Sequence, residues 1–148
     1  MGTIHGSASI EIEAPIEAVY AVAADVEGST RWQSEIKVAE CIERAGGKQV
    51  LVHMETDAKV RTLGADMRFS YESPTRISWV QEEGELKSVE GSWELEDLGD
   101  GRTRATYTLD SDPGRMLGMV IRGPVEGAVR GMLVNARPDE LKKRVEGG

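Results

Sequence analysis

Few side chains in this sequence could carry chemistry, and Tyr71 and Tyr107 lead them. Each sits in a stretch where apolar and polar residues alternate. A buried phenol needs a hydrogen-bond partner. A ligand carbonyl or hydroxyl would serve, and so would a backbone carbonyl or a water molecule. His53 falls out of phase with Val52 and Met54, which places it toward solvent or a neighbouring side chain. His5 stands alone near the N-terminus. Two distant histidines without a cysteine cluster do not suggest zinc. Cys41 has no positioned His or Asp partner, and a free cysteine usually packs as a small apolar group. No Ser-His-Asp set, phosphate loop or dinucleotide fingerprint is present. No catalytic residue, metal ligand or cofactor is therefore assigned.

Methionines and aromatics form the second group. Met54, Met67, Met116, Met119 and Met132 fall on expected strands or the last helix. Thioether side chains suit irregular apolar ligands, and they equally fill gaps in a core. Phe69, Trp79 and Trp93 alternate with polar neighbours and share that ambiguity. Glu90, Glu94 and Glu96 alternate outward as a solvated face, whereas Asp66 and Arg68 share a face and could pair.

These residues need elements to position them. Ala8, Ile10 and Ile12 alternate with polar residues as a half-buried strand. Pro15 starts a helix carrying Ile16, Val19, Tyr20, Ala23 and Val26, and Gly28 closes it. A connection from Ser29 to Ser34 carries Trp32 and a second short helical turn. Strands follow over about residues 36–42, 50–54, 63–71, 77–81, 89–95 and 105–109. Turns are signalled by Gly46-Gly47, Ser73-Pro74 and Gly99-Asp100-Gly101. From Pro113 to Val145 the apolar spacing becomes helical, through Val120 or Ile121, Val125, Val129, Met132, Leu133, Ala136, Leu141 and Val145. Gly114, Gly118, Gly123, Gly127 and Gly131 interrupt this run, with Pro124 and Pro138. The glycines let the helix pack closely on its neighbours or let its N-terminal end move, and close packing is the safer reading.

The chain has 148 residues, 39% hydrophobic and 30% charged, which bounds it to one globular domain over 1–148. A net charge of -8 argues against a nucleic-acid partner. The sequence shows no secretory leader and no run of apolar residues long enough to span a membrane, so a cytoplasmic location is expected.

Three stretches together resemble the START and birch-pollen-allergen-like superfamily (SRPBCC), in its bacterial polyketide cyclase/dehydrase and lipid-transport branch. The first is the run from Ile10 through Pro15 to Tyr20. The second is Asp25-Val26-Glu27 followed by Trp32. Relatives tend to have a Tyr-Pro pair shortly before that Trp, and Ser29-Thr30 stands here. The third joins Arg76-Ile77-Ser78-Trp79, Gly91-Ser92-Trp93-Glu94-Leu95 and the run from Gly101 to Tyr107. The resemblance spans nearly the whole chain. It implies an α+β helix-grip fold: a curved seven-stranded antiparallel sheet wrapped around a long C-terminal helix, with two short helices after strand 1. A cavity is expected between sheet and helix. Its expected lining is Trp32, Met54, Met67, Phe69, Tyr71, Trp79, Trp93, Tyr107, Met119 and Val120. The expected partner is a hydrophobic small molecule such as a lipid, isoprenoid, quinone or polyketide. Alternatives are a cyclase or dehydratase acting in the same cavity, or a protein-interaction module, and the fold is compatible with a homodimer.

Overall fold

Alternating apolar residues build seven strands, and a computed structural model shows how they join. It describes residues 4–58, 61–115, 119 and 124–147. Strand β1 (Ile4–Ile12) runs into helix α1 (Ile16–Ala24) and a 3-10 helix (Val26–Arg31). Then come β2 (Ile36–Ala45), β3 (Lys48–Asp57), β4 (Thr62–Glu72), β5 (Arg76–Gly84), β6 (Ser88–Gly99) and β7 (Arg102–Asp112). The C-terminal segment comprises α2 (Pro124–Arg130), a π-helical turn (Gly131–Asn135) and α3 (Arg137–Gly147). The sheet order is β1-β7-β6-β5-β4-β3-β2, with every neighbouring pair antiparallel. This is the expected helix-grip arrangement.

Turn chemistry sets the hairpins. Gly46 and Gly47 both have positive φ, 58° and 78°, which a two-residue turn between right-twisted strands requires. Gly99, Asp100 and Gly101 are also all at positive φ, so the β6–β7 turn depends on two glycines and one tolerated aspartate. Register shifts interrupt β2–β3, β4–β5 and β6–β7. Each adds local twist, and together they help curl the sheet about the C-terminal segment.

The concave face carries the core. Ile12, Val19, Val52, Ile77, Val134 and Leu141 are fully buried and belong to one cluster with Trp93, Leu95, Ala105 and Leu109. Each such side chain contributes about 1.5–3 kcal/mol by leaving water. Hydrogen bonds fasten the last helix to the first strand: Lys142 Nζ donates to the Glu11 carbonyl, and the Glu13 amide donates to Glu146 Oε2.

The glycine-rich helix departs from the close-packing expectation where it is described. A methyl group added at Gly127 or Gly131 would meet nothing within 4 Å. Close approach is supplied by the strand instead. A Cβ on Gly6 of β1 would lie 3.1 Å from Val134 Cγ1. The bend follows from the π turn, in which the Ala136 amide donates to the Gly131 carbonyl, five residues back. Pro138 then occupies the first turn of α3, where its missing donor costs nothing.

Candidate functional site

Between the concave face and the C-terminal segment lies a cavity of about 130 Å³. Strand alternation decides which side chains point to the concave face. In β7 the inward positions are Thr103, Ala105, Tyr107, Leu109 and Ser111, and all five are buried. In β6 they are Val89, Gly91, Trp93 and Leu95, and in β5 they are Ile77, Trp79 and Gln81. Registers Tyr107↔Trp93 and Trp93↔Ile77 set one level of the wall. Val89↔Ser111 and Met67↔Gln81 set another, four residues further along.

Of the expected lining, Met54, Met67, Phe69, Trp79, Trp93 and Tyr107 do face the cavity. Their rings form a continuous set. Phe69–Trp79, Trp79–Tyr107 and Trp93–Tyr107 have centroids 5.7, 5.6 and 4.8 Å apart, all tilted. Such pairs add about 0.5–1.5 kcal/mol each beyond burial and stiffen the wall. Trp32 stands behind this layer, 6.4 Å from Trp93, and packs on the core without lining the cavity. Tyr71 is also outside the lining. Its hydroxyl donates to the Gln49 carbonyl at 2.6 Å, and burial pushes its pKa upward. Met119 is exposed. Met116 and Val120 lie outside the described residues.

The expected Asp66–Arg68 pair does not form. Asp66 Oδ1 lies 2.8 Å from His53 Nδ1, while Arg68 Nε donates to Glu82 Oε1 at 2.6 Å. Cross-strand neighbours win because His53↔Asp66 are register partners on β3 and β4. His53 Nε2 also meets Glu55 Oε2 at 3.0 Å, so the ring is clamped on the outer face, away from the cavity.

Arg137 is the residue that sequence reasoning missed. It lines the cavity and is only 2% exposed. One guanidinium nitrogen, Nη1, donates to Glu35 Oε1 at 2.5 Å and to Glu140 Oε1 at 2.9 Å. Burial works against its charge, but Tyr107, Glu140 and Glu35 more than offset that and raise its pKa. Burial raises the pKa of the Tyr107 hydroxyl, and the adjacent Arg137 guanidinium opposes it. A signal existed in the sequence: Val134, Arg137 and Leu141 share one helical stripe, with a charge at an apolar position. Gln81 and Ser111 gave the same signal on strands, continuing Ile77-Trp79 and Tyr107-Leu109 with a polar residue.

Among the described residues, four buried side-chain polar atoms have no hydrogen-bond partner: Ser29 Oγ, Gln81 Oε1, Ser111 Oγ and Arg137 Nε. All four residues line this one cavity. The Gln81 amide is oriented by its other end, since Nε2 donates to the Leu86 carbonyl at 2.8 Å. A carbonyl can only accept, so the amide oxygen must point away from it. Buried polar groups are normally paired, and each unpaired one costs about 1–3 kcal/mol. Here four such atoms belong to residues around one cavity.

A family model described as polyketide cyclase / dehydrase and lipid transport matches residues 3–146. The chain belongs to this family. An uncharacterised Pseudomonas aeruginosa protein is 25% identical over 70% of this chain. The match covers 58% of that relative, so the chain spans less than two thirds of its length. Solved structures share the fold. A START superfamily protein from Mycobacterium smegmatis superposes with a TM-score of 0.83 at 20% identity, covering 97% of this chain and 98% of its own. A Thermus thermophilus protein gives 0.79 at 21% identity, with 97% of both chains covered. An aromatase/cyclase from a Streptomyces species gives 0.68 at 23% identity, covering 98% of this chain and 83% of that one. No helix among the described residues is long and apolar enough to cross a membrane.

Proposed function

We propose that this chain binds a hydrophobic small molecule, of the lipid, isoprenoid, quinone or polyketide kind, between its sheet and C-terminal segment. The observation that carries this reading is the coincidence of one apolar, aromatic-walled cavity with four unpartnered polar atoms around it. Ligand sites commonly combine a mostly apolar wall with a few placed polar groups. Met54 and Met67 add side chains that adapt to an irregular surface. The family description, which names lipid transport, agrees with this reading.

A second reading is a cyclase or dehydratase acting in the same cavity. It is favoured by Tyr107, a buried hydroxyl kept protonated beside a cation and so able to donate to a ligand oxygen. Holding a reactive chain in shape supplies much of such a reaction. One experiment addresses both readings. The purified protein is weighed by native mass spectrometry and its organic extract analysed, before and after incubation with a candidate apolar compound. Co-purified or added ligand recovered unchanged supports carriage. A converted product supports catalysis, and protein that stays empty throughout overturns both.

A further inference from the structure

The unpartnered atoms also specify what kind of ligand fits, an inference that rests on the reading above. Three of the four occur at two levels of the wall, and the fourth, Ser29 Oγ, is on the 3-10 helix. Arg137 reaches the level of Tyr107, whereas Gln81 and Ser111 occupy the level of Val89. Tyr107 and Ser111 are four residues apart on β7, which is about 13 Å along a strand. Between the levels the inward residues are apolar or aromatic: Leu109, Trp79 and Phe69.

The charges at the first level decide the polarity of the group that can sit there. The single guanidinium of Arg137 already faces two carboxylates, those of Glu35 and Glu140. That cluster carries a net charge of -1, taken as one cation and two anions. A ligand carboxylate would add a third anion to a buried site, which low dielectric makes costly. Of the buried atoms of Arg137, Nε is the one without a partner, and this N–H needs an acceptor without charge. At the second level Gln81 Oε1 can only accept, so it needs a donor, and the Ser111 hydroxyl can do either. We infer that the cavity selects a neutral ligand with an apolar body, a carbonyl-type acceptor turned to Arg137 and a hydroxyl turned to Gln81 and Ser111, and that it rejects carboxylates. A cavity of ~150 Å³ accommodates a single benzene ring. The space here is of that order, so one ring with a short chain is a suitable probe.

Four compounds test this by calorimetric titration: para-hydroxyphenyl butanone, phenyl butanone, para-hydroxyphenyl propanoic acid and butylbenzene. The acid replaces the ketone methyl with a charged oxygen and changes little else. The hydroxy ketone is expected to bind most tightly. Losing the hydroxyl should weaken binding about tenfold, the effect of leaving one buried acceptor unpaired. The acid, ionised at neutral pH, should be weaker than the ketone by at least that factor. Gln81→Leu should remove the preference for the hydroxyl and leave the preference for ketone over acid. An acid that binds as tightly as the ketone overturns the inference. So does butylbenzene binding as tightly as the hydroxy ketone, or a hydroxyl preference that survives Gln81→Leu, and these results leave the cavity reading standing. Failure of all four compounds to bind overturns the cavity reading as well.

Discussion

Arg137 makes both of its ion pairs through one nitrogen. Its Nη1 serves both Glu35 and Glu140, and Glu140 Oε2 also accepts from the Ser34 amide and hydroxyl. The cluster thus ties α3 to the connection after the 3-10 helix, and truncation would leave two carboxylates without their cation. Arg137→Ala is expected to cost about 3–5 kcal/mol, read as a lower urea midpoint. Arg137→Met combined with Glu35→Gln and Glu140→Gln should recover most of that loss. His53 offers a second test. Hydrogen bonds to Glu55 and then Asp66 raise its pKa above the usual 6.5. A raised folded-state pKa means that its stabilisation is complete below the unfolded value and fades as pH rises through the folded one. The melting temperature of the wild type should therefore exceed that of His53→Gln in mildly acidic buffer, by roughly 1–3 °C for a partly exposed cluster. The gap should close toward alkaline pH.

At the scale of elements, the aromatic wall depends on a missing side chain. Gly91 faces inward on β6 opposite Trp79 on β5. A Cβ there would lie 2.6 Å from Trp79 Cζ2 and 2.8 Å from the Thr108 carbonyl oxygen. The indole can move, but the backbone carbonyl of the sheet cannot move far. Gly91→Ala is expected to cost about 1–3 kcal/mol by overpacking, to shift tryptophan emission and to weaken ligand binding as Trp79 moves. The strands themselves were legible in the sequence because their period of two is unbroken at inward positions such as Leu95, Ala105 and Leu109. The π turn was not legible. Gly131–Asn135 has no pattern that separates it from an α-helix, and only its position before Arg137 shows its effect. The helical glycines suggest close packing, yet the close approach comes from Gly6, in a strand where alternation gives no hint of it.

For the whole molecule, chain order and family resemblance together led to the right architecture, and the cavity's apolar wall followed from it. The polar specification did not. It depends on which of several inward hydroxyls, amides and charges lack partners, and partners such as Glu35 and Arg137 lie 102 residues apart. Apolar burial is additive and readable locally, whereas hydrogen-bond satisfaction is a property of the closed structure. The same distance in sequence governs how the chain reaches its fold. Strand β1 has one strand neighbour, β7, and its register joins Ile4 to Ser111 and Ile12 to Thr103. During synthesis the first strand therefore waits, unpaired, until β7, which ends at Asp112 of the 148 residues, has emerged. Contacts this remote place folding among the slower, topology-limited cases. Meanwhile Ile10 and Ile12 are left uncovered, and a holdase would have its longest opportunity to bind there.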